Sequence, residues 1–191
     1  QELGGDDKLK QQLNERLKDL DRGPADKLAD SLGKGDFDKA MKELEKLKQQ
    51  LKDGKMDEKA KQDMAKQMNQ MQEKIQQMAE AHQKKMDNLQ KQMEEARKNG
   101  QNDQAQKMMD QLQQMKQQAP QMQKMQDLAQ KLGKCEQCMK QGDMQQATAE
   151  MEKLQGDLEQ MAKNEAEKQA LQDAMDQLAQ CKNGMAQGMG D

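Results

Sequence analysis

The chain has 191 residues, of which 35% are charged and 32% hydrophobic, and its net charge is −3. Trp, Tyr and Val are absent and Phe37 is the one aromatic residue. This composition excludes a wide apolar core, but not a thin seam between helices, which needs only about two apolar positions in seven. Lys and acids are interleaved, so no basic patch of the kind nucleic acid requires stands out. No apolar run approaches the ~20 residues of a membrane span.

Gln makes up about a fifth of the chain. Together with Lys, Glu, Met, Leu and Ala it favours helix, while strand formers are nearly missing. Low hydrophobicity also fits disorder, but regular apolar spacing and only two Pro argue for helices. The sequence starts at Gln1 rather than Met. That gives the expectation of a trimmed N-terminus, with a removed secretory signal and a secreted, periplasmic or extracellular location.

After a loose lead-in over Gln1–Asp7, a short helix is expected from Lys8 to Leu20, with Leu9, Leu13, Leu17 and Leu20 on one side. Arg22-Gly23-Pro24 ends it, and Ala25 to Leu32 forms a second. Gly33-Lys34-Gly35 follows, and Asp36 is suited to cap a third helix carrying Phe37, Ala40, Leu44, Leu47 and Leu51. Asp57 then caps the longest stretch, which runs to Asn99-Gly100 without Pro or Gly. At 1.5 Å per residue that helix is about 65 Å long, and it needs partner helices along its length. Its stripe is Met64, Met68, Met71, Ile75, Met78, His82, Met86, Leu89, Met93 and Ala96. A four-residue displacement at His82 is a stutter, so a nearly straight bundle is expected there.

Beyond a cap at Asn102 or Asp103 the stripe resumes at Ala105, Met108, Leu112, Met115 and Ala119. Pro120 interrupts it and predicts a kink or short break. Met122, Met125, Ala129, Leu132 and Met139 continue it to Gly142. Asp143 caps again, before Met144, Ala147, Met151, Leu154, Leu158 and Met161. Past Asn164 come Leu171, Ala174, Leu178 and Cys181.

Two echoes run through this pattern. Lys98-Asn99-Gly100, Lys140-Gln141-Gly142 and Lys182-Asn183-Gly184 recur about six heptads apart. Gly35-Asp36-Phe37 with Ala40, Leu44, Leu47 and Leu51 matches Gly142-Asp143-Met144 with Ala147, Met151, Leu154 and Leu158. The Gly-Asp…Ala pattern resembles tetratricopeptide-type helical repeats. Their aromatic positions are missing and the helices here are longer, so that family is not assigned.

The expected fold is all-α: long antiparallel helical hairpins in a coiled-coil-like bundle with a Met/Leu seam, and short helices at the N-terminus. The divisions are 1–53 for the short helices and 54–141 for a long hairpin turning near Gly100. Residues 142–184 form a C-terminal helix or hairpin, and 185–191 a Gly/Met tail.

His82, the single histidine, reads as a metal ligand or pH switch, or as a polar register-setting residue on the seam; the last is favoured, because no second His can share a metal. The 20 Met residues invite soft-metal binding, but they alternate with Leu at seam spacing, which core filling explains. Cys135 and Cys138 form a CxxC, with Cys181 far along the chain. Three thiols fall short of the usual four zinc ligands, and a thioredoxin-like context is absent. Crosslinking through Cys135, Cys138 and Cys181 is therefore the expectation. A straight last helix would allow Cys181 to reach only another subunit. A fold-back near Asn164-Glu165-Ala166-Glu167, which resembles a capping box, would return it to the CxxC. The weak stripe between Met161 and Leu171 favours the fold-back.

No nucleophile–base pair and no phosphate loop is recognisable, so neither catalysis nor a cofactor is expected. The leading expectation is a structural protein that self-assembles as a homo-oligomer or polymer. Its seam would be Met64, Met68, Met71, Ile75, Met78, His82, Leu89 and Met93, and its form an extracellular filament or sheath. The alternative is an adaptor or chaperone-like module that binds other protein helices through a Met-rich surface. A metal-binding protein is the third reading.

Overall fold

Residues 3–188 are described by a computed structural model, with side chains for 7–167, 169–171 and 173–177. Six helices order these residues: α1 (Leu3–Leu17), α2 (Asp26–Gly33), α3 (Phe37–Lys52), α4 (Glu58–Lys98), α5 (Asn102–Lys140) and α6 (Met144–Gly188). The architecture is an all-α bundle with extensive packing between helices. α4 packs along α5 and α5 along α6, α3 lies on α6, and α1 and α2 close the N-terminal side against α3, α4 and α5.

Local chemistry sets most helix starts. The Asp36 carboxylate accepts from Lys39 N at 3.1 Å, Asp57 from Ala60 N at 2.7 Å and Asp143 from Gln146 N at 3.0 Å. Each bond satisfies a backbone donor that the first turn leaves without a partner. Gly35 and Gly142 precede two of these caps with φ of 70° and 76°, a left-handed conformation that costs any residue with a Cβ. The start of α5 differs from expectation. Its N-cap is Gln101, which makes no side-chain cap bond, and Asn102 already belongs to the helix. α1 also lies earlier than expected, ending at Leu17, because residues 21–25 are held by side chains of α4.

The core takes one stripe from every helix. Leu9, Leu13 and Leu17 meet Leu28 and Leu32, then Leu44, Leu47 and Leu51, then Met64, Met68, Met71, Ile75 and Met78. From α5 come Met122, Met125, Leu128 and Leu132, and from α6 Met151, Leu154, Leu158 and Met161. Steps of three and four residues place each set on one helical face. Met supplies flexible filling that closes gaps between stiffer Leu side chains. Leu89, Ala96, Ala105 and Leu112 are also buried, but they lie outside this core on the outer parts of α4 and α5.

Two sequence expectations are corrected here. α5 runs unbroken through Pro120, whose ring faces solvent, so of the two expected outcomes the short break does not form. One lost backbone donor is tolerated where the flanking Gln, Met and Lys are all good helix formers. α6 runs unbroken past Asn164 to Gly188, so the fold-back does not occur. No Gly or Pro lies between Asp157 and Asn183, and helix propensity through that stretch outweighs the capping-box resemblance.

Candidate functional site

The CxxC lies in the last turns of α5, where the chain reverses through Gly142 into α6. Cys135 is fully buried, and its thiol donates to the Ala147 carbonyl across the turn at 3.7 Å. Burial pushes this thiol up to about 12, reinforced by Cys138, Glu150 and Glu136. Cys138 is half-buried and raised as well, by burial and then by Glu150 and Asp143. Both groups therefore stay protonated at neutral pH, the opposite of what a nucleophilic thiolate requires. The buried acids beside them are held by cations. Glu136 pairs with Lys140, and Glu150 accepts from Lys153 at 3.2 Å and Gln146 at 3.3 Å.

The crosslink expectation is overturned at this point. Cys135 and Cys138 are both free thiols. Cys135 is turned into the core against α6, while Cys138, three residues on, faces partly outward. Cys181 falls on the α6 backbone, and its side chain lies outside the described residues. Along a continuous α6, 38 residues separate it from Asp143, about 57 Å. That is far beyond the reach of a bond to the CxxC.

His82 sits where the six-helix core gives way to the α4–α5 extension: the core ends at Ala79 on α4 and resumes at Met122 on α5. The ring is half-buried and shares a hydrogen bond with Gln118 of α5. Its Nε2, and the Oε1 of Gln121, are buried without a hydrogen-bond partner among the described residues. Burial holds the imidazole below its ordinary value, aided by the charge of Lys85, while the Gln118 bond opposes. His82 and the two Cys stand on different stretches of the bundle. Among the described residues, no three His, Cys, Asp or Glu side chains are grouped to hold a metal.

The inner part of the expected assembly seam is already occupied within one molecule. Met64, Met68, Met71, Ile75 and Met78 are at most 2% exposed, Leu89 is buried, and Met93 is half-buried like His82. These side chains pack against the chain's own helices. What remains open lies farther out. On the outer α4–α5 extension Met86, Met93, Met108, Met109 and Met115 are half-buried. On α6 beyond Met161, Leu171 is 64% and Met175 54% exposed. A shallow polar groove lined by Gln72, Gln130, Gly133, Lys134, Glu136 and Gln137 brings together no pairing of acid, base and nucleophile.

Two features escaped sequence reasoning. Gln67, inside the α4 stripe, is 1% exposed. It accepts from Ala25 N at 2.7 Å and donates to the Asp21 carbonyl at 3.0 Å and to Asp26 at 2.6 Å. With Gln70 and Lys66, which hold Asp21, it pins the α1–α2 turn to α4. Only its position among Met64, Met68 and Met71 could have signalled this. The second feature is that the two Gly-Asp units pack on each other. Lys48 of α3 donates to Gln155 of α6 at 3.0 Å, and these are equivalent positions of the echo. Lys48 also pairs with Glu152 at 3.9 Å, and Gln155 reciprocally bonds Glu45. This reciprocity is that of an isologous contact, made inside one chain.

These features define an all-α helical bundle with two free thiols among the described residues, one half-buried histidine and two uncovered apolar faces. Among the described residues no helix is long and apolar enough to cross a membrane. No family model, curated protein or solved structure matches the chain.

Proposed function

We propose that this chain is a structural protein that self-assembles by laying helices of neighbouring copies lengthwise against one another. In this reading α4 and α5 form a long antiparallel hairpin with a Met/Leu seam, which stiffens each subunit. The association itself uses the faces that the subunit leaves open. The observation that carries the proposal is the exposure of Leu171 and Met175 on the overhanging part of α6. A single helix exposed on all sides gains little from propensity alone, because helical stability comes mainly from packing an apolar face. The open stripe is the kind of surface that a further helix covers.

The test is sedimentation velocity over a range of protein concentrations, with negative-stain imaging of the largest species. Assembly predicts concentration-dependent growth that is lost in Leu171→Lys with Met175→Lys, while the circular dichroism of the chain stays helical. A wild-type chain that remains one small species at every concentration would overturn it.

The half-buried Met residues of the α4–α5 extension favour a second reading, an adaptor that binds other protein helices. Thioether side chains repack around different partners at low cost. This reading predicts that Met86, Met93 and Met109 substitutions leave sedimentation unchanged and weaken capture of amphipathic helical peptides.

A further inference from the structure

We propose that the point where the core gives way to the α4–α5 extension binds one soft, singly charged metal cation, held by His82 Nε2 and the thioether sulfurs of Met86 and Met122. The site is independent of the assembly reading above.

The imidazole supplies the first observation. His82 Nε2 is buried without a hydrogen-bond partner among the described residues, and so is Gln121 Oε1. Buried polar atoms in folded proteins are nearly all satisfied, so two such atoms on one stretch of the seam need an occupant. Because Nε2 has no partner, the bond to Gln118 falls on Nδ1. That bond favours the protonated ring, so Nδ1–H donates in it. Nε2 of the neutral ring is then a bare lone pair, and the amide oxygen of Gln121 is an acceptor too. Two acceptors cannot satisfy each other; they need a donor or a cation between them. A histidine fixed through its other N–H is the usual state of a metal-ligating one. Burial also keeps the ring neutral, so the lone pair is available without displacing a proton.

Helix geometry supplies the sulfurs. Side chains on a helix lean back over the turn N-terminal to their own Cα. On α4 this carries Met86, one turn beyond His82, toward the imidazole. α4 and α5 pack along each other and reverse through Gly100, so they run antiparallel. On α5 the same lean carries Met122, one turn beyond Gln118, toward the same layer from the other side. One turn rises about 5.4 Å, a span that a thioether arm covers. Met122 is buried and Met86 half-buried, so the layer is closed on the core side and open on the other. Other layers of the seam hold Met as well, but none has a second histidine to offer a nitrogen.

The donor set selects the ion. One neutral nitrogen and two neutral sulfurs suit a soft ion of low charge, such as copper(I) or silver(I). The charge acting on the ring is that of Lys85, a cation, which opposes a divalent ion.

The test is a titration of the full chain with silver(I), followed by nitrogen NMR of the imidazole and methyl NMR of the methionines. His82 is the single histidine, so its ring signals are unique. The thiols also take silver, so the readout is the ring and not total uptake. Silver(I) is expected to move the Nε2 signal saturably, together with the methyl signals of Met86 and Met122. Met86→Leu and Met122→Leu nearly conserve volume, and each is expected to raise the dissociation constant read at the ring about tenfold. Met64→Leu, far along the seam, is expected to leave it within about twofold. Zinc(II) at the same concentrations is expected to leave the ring unmoved. An Nε2 signal that silver(I) does not move overturns the proposal and leaves water as the occupant. A ring response that survives both Met substitutions, weakens equally in Met64→Leu, or is reproduced by zinc(II) overturns it as well.

Discussion

Gln67 shows how much one polar residue can do inside an apolar stripe. Its amide satisfies a backbone donor and a backbone acceptor of the α1–α2 turn, and the donor, on Ala25, is fully buried. Removing it leaves the buried Ala25 donor unpaired, which costs about 1–3 kcal/mol. Gln67→Ala is expected to destabilise the chain by about 2–3 kcal/mol in urea unfolding. A neighbouring exposed change such as Gln62→Ala should stay within about 0.5 kcal/mol. His82 gives the pH dependence. Its folded value lies below the ordinary 6.5, chiefly through burial. The unfolded chain therefore binds the proton more readily. The stabilising contribution is fully present above about pH 6.5 and declines as pH falls below it. The urea midpoint should drop between pH 7.5 and pH 5.5 in the wild type, and drop less in His82→Gln. An equal drop in both would assign the effect to other groups.

Among the elements, helix starts were readable because they are chemically local. An Asp after a left-handed Gly, followed by apolar residues at steps of three and four, needs no tertiary partner to be recognised. Asp36→Ala and Asp143→Ala remove equivalent caps from the two Gly-Asp units, and each is expected to cost about 1 kcal/mol by thermal or urea unfolding. Cap removal adds to the cost of other distant changes, so the double variant should lose about 2 kcal/mol. A markedly larger loss would mean that α3 and α6 start as one coupled unit through their contact. The ends of α1 and the fate of Asn164 were less readable. α1 ends where Gln67 and Gln70 seize the following turn, and α6 ignores a capping-box pattern because nothing nearby draws the chain out of helix.

For the molecule as a whole, burial is uneven. The region where α1, α2, α3 and α6 pack together with the inner parts of α4 and α5 holds the continuous core, while the outer parts of α4 and α5 rely on each other. Local stability follows local burial. Hydrogen exchange should therefore be faster for amides of residues 86–115 than for those of residues 64–78. Uniform protection across both ranges would show that the extension is covered in solution.

The sequence by itself determined an all-α chain, the faces that become buried and the capped starts of α3, α4 and α6. Each of these follows from periodicity or from bonds within one turn. The tertiary structure alone decided which helix each stripe meets, and that the inner Met seam of α4, from Met64 to Met78, is consumed within one molecule. It also decided that Cys135 and Cys138 stay apart as protonated thiols, and that Leu171 and Met175 are left uncovered. Periodicity states that a face is apolar. Only the path of the whole chain states what lies against it, because burial is a relation between segments far apart in sequence.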